Sequence, residues 1–314
     1  MAQHELKMDK DKPLSVALGG AFKDMVDFAR SRAERAGAAP EAAVHDFRRS
    51  IRRAGAQLKL TKPFLSDKGA AWMREALKKA FARTGALRDH GVLIPTLDKL
   101  EGRLSVKGAA ERIRELLQAD KATAEGLRAP ELLGANIRFL TGLGEAYQAA
   151  LEGEVSDGAL RQALRASYAK ARAAFRRTKQ TRDEDDLHTW RKAVKALRYQ
   201  LELVTSRGEG GLEAAHESFI AQAKRLGEIT DLMALRDFVK DAEQALEGLE
   251  PKRLVKDIEA VIRPRINAAL EAAKQTYEAR VKRFGRSDAK AAAQEATQAT
   301  AKAPPSAPEG PSEA

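Results

Sequence analysis

A helical sequence block occurs twice in this chain, 143 residues apart. Residues 44–60 and 187–203 share five identical positions out of 17, and five more keep their chemical character. In both copies the apolar residues recur with the three- and four-residue spacing of one helix face. The duplication constrains the fold strongly, because each copy must bury the same face in an equivalent environment. We therefore predict two pseudo-symmetric antiparallel helical bundles, about residues 13–130 and 131–285.

The rest of the chain also favours helices. Ala, Leu, Glu, Lys, Arg and Gln dominate, and segments rich in β-branched or aromatic residues are few, so the fold class is predicted to be all-α. Glycine and proline divide the helices, with Pro130 and Gly134 at the centre of the chain, and Pro264 is expected to kink or split the last helix. The predicted helices span residues 14–36, 41–60, 67–84, 108–127, 131–151, 157–181, 185–206, 212–228, 230–247 and 251–285.

Several classes of protein are excluded or disfavoured by composition. The chain has no cysteine, which excludes disulfides, thiolate-bound metals and thiol catalysis. The start of the chain lacks the apolar core of a signal peptide, and no apolar run reaches transmembrane length, so a cytoplasmic protein without membrane contact is expected. Residues 286–314 contain no Val, Ile, Leu, Met or aromatic residue, and we predict a disordered Ala/Pro-rich tail there.

Positive charge is concentrated in two segments. The net charge of the chain is +11, but residues 44–62 carry +5 and residues 161–198 carry +8, which leaves the remainder slightly acidic. Residues 161–182 contain eight cations and no acid, whereas a solvated helix face normally mixes both signs. A localised basic field of this kind indicates a polyanionic partner rather than a merely solvated surface.

On a helical projection the cations of each repeated helix form a stripe beside its apolar face. A third stripe follows from the helix at residues 157–181. The candidate anion-binding residues on these stripes are His45, Arg48, Arg49, Arg52, Arg165, Arg172, His188, Arg191, Lys192, Lys195 and Arg198. Further candidates on the same or neighbouring helices are Lys59, Lys79, Arg83, Arg161, Arg176, Lys179, Lys224 and Arg225.

The two repeated histidines, His45 and His188, allow more than one role. Each could be a hydrogen-bonded packing residue, or it could donate to a bound phosphate from both ring nitrogens once protonated. Their spacing does not match a metal motif. The acidic run at residues 183–186 precedes a helix, where capping explains it better than metal binding does. No metal and no cofactor is therefore expected.

The blocks His45…Arg48…Arg52 and His188…Arg191-Lys192…Lys195…Leu197-Arg198-Tyr199 resemble the CHAD family, the conserved-histidine α-helical domains. The resemblance covers residues 13–285. It implies helical bundles around a central basic channel or groove that binds inorganic polyphosphate without catalysis, and it implies recruitment to polyphosphate granules. Many members follow a CYTH triphosphatase domain, which is not expected here because only about a dozen residues precede the fold.

Two positions depart from the family pattern. Gly55 of the first copy stands where the family usually has arginine, and Ala196 of the second copy replaces a cation. The first half is expected to hold phosphate less tightly than the second half, because it lacks the arginine at position 55. Two other functions remain open. The same cations could bind RNA or DNA, although the scarcity of aromatic residues provides few stacking platforms for bases. The histidines could also serve as acid and base groups of a phosphate-metabolising enzyme.

Overall fold

The computed structural model describes residues 7–37, 39–82, 84, 86–208, 211–278 and 284, with the side chains of residues 86–91 and 120–129 left out. Within these residues the fold is all-α, as predicted. The β-type pairing that these residues contain is an isolated antiparallel bridge between Leu65 and Leu151. The helices are α1 (Leu14–Glu34), α2 (Pro40–Thr61), α3 (Asp67–Ala82), α4 (Ala86–Asp98), α5 (Ala109–Leu140), α6 (Leu143–Ala150), α7 (Asp157–Thr181), α8 (Glu184–Thr205), α9 (Glu213–Asp241) and α10 (Pro251–Glu278).

Two predicted helix breaks are wrong. The two helices predicted at residues 212–228 and 230–247 form the single helix α9, which passes through Gly227. Helix α5 continues through Pro130. Helix α10 also contains Pro264 without being split there, and the kink expected as the alternative at this proline stays a prediction. A single glycine costs a helix only about 1 kcal/mol, and here the flanking Leu226 and Ile229 are fully buried. Burial of the flanking residues thus outweighs the local preference of the breaking residue.

The helix predicted at residues 131–151 is also divided differently. Its first part belongs to α5, and the chain turns at Gly142, whose φ of 75° lies in the left-handed region that favours glycine. Residues 86–98, where Gly91 and Pro95 suggested broken structure, form α4. The turn of the chain therefore lies about ten residues beyond the predicted central boundary.

The predicted core faces of the two repeated helices are confirmed. All ten apolar residues assigned to them are buried: Val44, Phe47, Ile51, Ala54 and Leu58 on α2, and Leu187, Trp190, Val194, Leu197 and Leu201 on α8. Each repeated helix packs on the helix that precedes it in the chain: α2 packs on α1, and α8 packs on α7. The periodic apolar pattern of each copy is thus satisfied by a neighbouring helix and by the shared core.

Helices α2 and α8 also pack on each other, in antiparallel directions. The guanidinium of Arg53 pairs with the carboxylate of Glu202, and Gln200 Nε2 donates to the carbonyl of Ala56 at 3.0 Å. The residue numbers of these contacts increase along α2 and decrease along α8, which shows that the two helices are antiparallel. Antiparallel packing of the repeated helices is compatible with a two-fold axis that lies perpendicular to them. The symmetry itself and the limits of the two units remain predictions, and residues 286–314 lie outside the described residues.

Candidate functional site

A groove of about 880 Å³ lies where α2, α3 and α8 meet. Its lining contains ten uncharged residues and nine basic ones, against the single acid Asp67. The basic residues are Arg48, Arg52, Lys59, Lys62, Arg74, Lys78, Arg191, Lys192 and Lys195. Helices α3 and α8 both pack against α2, and their cations line the same concavity. The packing brings cations from three separated segments into one strongly positive surface.

At one end of the groove, two arginines of α2 stack on one aromatic ring. The guanidinium carbons of Arg48 and Arg52 lie 4.1 and 4.9 Å from the centre of the Phe81 ring. Arg48 is almost buried, at 5% exposure, and donates to Thr84 Oγ1 at 2.8 Å. Cation–π contact and this hydrogen bond hold the guanidinium of Arg48 in one position. Both arginines belong to the predicted stripe, and both line the groove.

Near the other end of α2, three lysines approach one another. Lys59 and Lys192 both line the groove, and Lys170 of α7 lies close enough for its charge to act on Lys59. Partial desolvation inside the concavity lowers the pKa of Lys59, and the charges of Lys170 and Lys192 lower it further. The three ammonium groups repel one another, so an anion bound between them would relieve that repulsion.

Helix α8 presents Arg191, Lys192 and Lys195 to the groove, with Ala196 beside them. The helix begins about two turns before Arg191, where Asp183 Oδ1 accepts hydrogen bonds from the backbone nitrogens of Asp185 and Asp186 at 2.9 and 3.2 Å. This confirms the prediction that the acidic run caps a helix. The cap fixes where the helix starts, and the helical repeat then places the cations on one face.

Sequence reasoning missed three groove cations. Arg74 and Lys78 come from α3, and Lys62 follows directly after α2. On α3 the lining residues recur at three- and four-residue spacing from Asp67 to Phe81, which is a recognisable helical stripe. The stripe holds only two cations, so charge density along the chain does not reveal it.

The cations of α7 listed above do not join the groove. Arg165 Nε donates to the carbonyl of Phe284 at 2.9 Å, and Arg172 Nε donates to the carbonyl of Tyr277 at 2.8 Å. Both side chains therefore lie against the end of α10 and the chain that follows it. The lining also omits the other predicted cations of this helix, which are Arg161, Arg176 and Lys179.

Neither repeated histidine lines the groove. The side chain of His45 is 69% exposed, and its Nδ1 lies 3.4 Å from Asp46 Oδ1. His188 is exposed on α8, three residues before Arg191. Other predicted residues that the lining does not include are Arg49, Lys79, Arg198, Lys224 and Arg225. Arg83 lies outside the described residues.

The protein is an all-α protein with a basic groove where the amphipathic helices α2, α3 and α8 meet. The chain belongs to the CHAD domain family, whose model matches residues 20–240. None of the described helices has a stretch long and apolar enough to span a membrane.

Two solved structures share the fold. The crystal structure of the CHAD domain from the plant Ricinus communis is 20% identical, with a TM-score of 0.66 over 89% of this chain and 96% of that one. PptA from Streptomyces chartreusis is 17% identical, with a TM-score of 0.63 over 85% of this chain and 100% of that one. No curated protein matches the chain.

Proposed function

We propose that this protein binds inorganic polyphosphate in the groove between α2, α3 and α8, without catalysing a reaction on it. The observation that carries the proposal is the nine basic side chains and one acid that line this groove. Membership of the CHAD domain family, which the sequence resemblance links with polyphosphate, supports the same ligand.

The chemistry of the groove suits a flexible polyanion without bases. From Arg48 to Lys59 the floor helix extends about 16 Å at 1.5 Å per residue, so several phosphate groups can lie along it. Arginine and lysine supply charge-assisted hydrogen bonds to phosphate oxygens. Arg48 and Arg52 lie over the Phe81 ring and Tyr199 is only 5% exposed, so the two aromatic rings among the described lining residues offer little stacking surface to a base. This favours polyphosphate over single-stranded RNA.

A binding role without catalysis fits the groups that face the groove. Among the residues that the structure describes, the lining includes no histidine and one carboxylate, Asp67, so a bound phosphate chain would meet cations rather than a paired acid and base. A protein that holds polyphosphate in this way can associate with polyphosphate granules, and we propose that association as its cellular role.

Two adjacent lysines of α3 provide a sharp test. Lys78 lines the groove and Lys79 does not, although both are exposed on the same helix. Lys78→Ala should weaken binding of labelled long-chain polyphosphate in a titration, and Lys79→Ala should leave it nearly unchanged. Equal losses from the two variants would contradict the groove as the binding site.

Competition and turnover assays separate the other functions. RNA of equal total charge should displace the labelled polyphosphate only weakly, and stronger displacement by RNA would favour the nucleic-acid function. Incubation of the protein with polyphosphate or inorganic triphosphate, with and without magnesium, should release no phosphate. Release above the control would show that the protein is an enzyme.

A further inference from the structure

Lys59 is an exposed groove lysine whose charged neighbours are cations. Its side chain lines the groove, and the charges that act on it come from Lys170 of α7 and Lys192 of α8. None of the hydrogen bonds and ion pairs that the described side chains form involves the Lys59 ammonium group. Binding of polyphosphate uses the charge of this residue. It makes no use of the nucleophilic nitrogen that appears when the ammonium group loses its proton.

The surroundings of Lys59 favour that nucleophilic form. Partial desolvation and the two neighbouring lysines lower the pKa of Lys59, so a larger share of its amine is unprotonated than in a lysine that is fully solvated. A lysine beside other cationic groups is activated as a nucleophile in this way. Because the side chain is also exposed in an open groove, a small reagent can reach its Nζ.

The same groove collects small anions. A concave surface lined by nine basic residues and one acid raises the local concentration of anions near it. An anion that carries its own electrophile would therefore be held beside the Lys59 amine. In an acyl phosphate the reactive carbonyl carbon is joined to the phosphate through one oxygen. The phosphate is also the leaving group, so cations that bind it stabilise the charge that develops as it departs.

We propose that Lys59 is a site of acylation by small acyl phosphates, such as acetyl phosphate, whose phosphate group the groove cations hold. The unprotonated Nζ attacks the carbonyl carbon, the carbon–nitrogen bond forms, and the bond from that carbon to the phosphate oxygen breaks. Inorganic phosphate leaves with the electron pair, and the proton released from nitrogen passes to it or to water. The resulting amide is uncharged, so the modification removes one cation from the groove. The inference rests on the proposed function, because the same cations hold the phosphate group.

Mass spectrometry that resolves individual lysines measures the reaction. The protein would be treated either with acetyl phosphate, which is an anion, or with acetic anhydride, which is neutral. Initial rates of acetylation would be compared at Lys59 and at Lys224, which is exposed on α9 and does not line the groove. The ratio of the Lys59 rate to the Lys224 rate should be about tenfold or more higher with acetyl phosphate than with the anhydride, because a cation-lined cleft concentrates the anion alone. Equal ratios with the two reagents would overturn the proposal.

Competition and a variant test whether the groove holds the reagent. Inorganic triphosphate, added at constant ionic strength, should slow the acetylation of Lys59 by acetyl phosphate and leave that of Lys224 unchanged. Lys192→Met removes a neighbouring charge and should also slow the reaction at Lys59, whereas Lys79→Met, from an exposed position outside the groove, should not. A Lys59 rate that responds neither to triphosphate nor to Lys192→Met would refute the proposed capture of the reagent.

The effect of the modification on binding separates this inference from the proposed function. Treatment with acetyl phosphate should lower the affinity of the wild type for labelled polyphosphate about fourfold at about 0.15 M salt, since one phosphate contact is lost. The variant Lys59→Arg, which keeps the charge but has no lysine amine, should lose less affinity on the same treatment. Equal losses in the two proteins would overturn the inference alone, whereas failure of the untreated protein to bind polyphosphate would refute the proposed function.

Discussion

We expect Lys59 and Lys192 to lower the stability of the fold and to strengthen the proposed binding of polyphosphate. Desolvation lowers the pKa of Lys59, as do the charges of Lys170 and Lys192, so the protonated form of Lys59 is disfavoured in the folded protein. Replacement by methionine keeps an unbranched side chain but removes the charge. The variants Lys59→Met, Lys192→Met and the double variant should therefore unfold at the same temperature as the wild type or at a higher one.

Binding of polyphosphate should weaken in the same variants. Each phosphate contact with a single-stranded polyanion contributes about −0.7 to the slope of log K against log salt concentration. If all nine groove cations take part, the wild-type slope reaches about −6 by the same rule. The double variant should lose about 1.4 of this slope, and its affinity near 0.15 M salt should fall about 15-fold.

Fluorescence anisotropy with labelled long-chain polyphosphate measures both quantities over salt concentrations from about 50 to 400 mM. Lys224→Met with Arg225→Met removes the same charge from exposed positions of α9 outside the groove, and it serves as the control. An unchanged slope in the groove variant, or an equal change in the control, would refute the reasoning. A clear fall in melting temperature would show instead that the two lysines stabilise the fold.

Four further predictions concern the pH dependence of stability, the buried Trp190, the ion pair between Arg53 and Glu202, and Gly55 in the groove. Folding lowers the pKa of Lys59 below its ordinary value of 10.5, so the free energy of unfolding should rise as pH increases from the lowered pKa to the ordinary one, which melting curves measure. In the same pH window, polyphosphate binding should take up protons and should weaken as pH increases, which calorimetry in two buffers measures. Trp190→Ala should reduce the free energy of unfolding by about 3–5 kcal/mol, because the ring is fully buried and its Nε1 donates to Tyr277 Oη. A loss of less than about 1 kcal/mol in a denaturant titration would contradict this prediction. Arg53→Met should reduce the free energy of unfolding by about 3–5 kcal/mol, because the Glu202 carboxylate loses its partner. The double variant Arg53→Met with Glu202→Met should recover most of that loss in the same denaturant titration. Gly55→Arg should raise both the melting temperature and the affinity for polyphosphate, since it replaces a helical glycine and adds a cation where a Cβ has open space; weaker binding would show that the added side chain blocks the groove.

Local pattern predicted most of the helices and the buried faces of α2 and α8. Phe47 and Trp190 were assigned to the core from spacing alone, and both are fully buried. Spacing works here because helical geometry fixes the angle between neighbouring side chains before any packing occurs. It failed at Gly227 and Pro130, where residues that disfavour helices lie within long ones. The cost of these residues is local, whereas the burial that outweighs it comes from other helices.

The sequence by itself determined that cations and apolar residues occupy adjacent stripes on α2 and α8, because both stripes belong to one helix. Only the tertiary structure decided which other helices share the groove. It adds Arg74 and Lys78 of α3, and it directs Arg165 and Arg172 of α7 to carbonyls near the end of α10. A helical pattern gives the direction of a side chain relative to its own axis. The rotation and neighbours of that axis depend on long-range packing. The cation-rich helix α7 can therefore face away from the groove while α3, which has fewer cations, lines it.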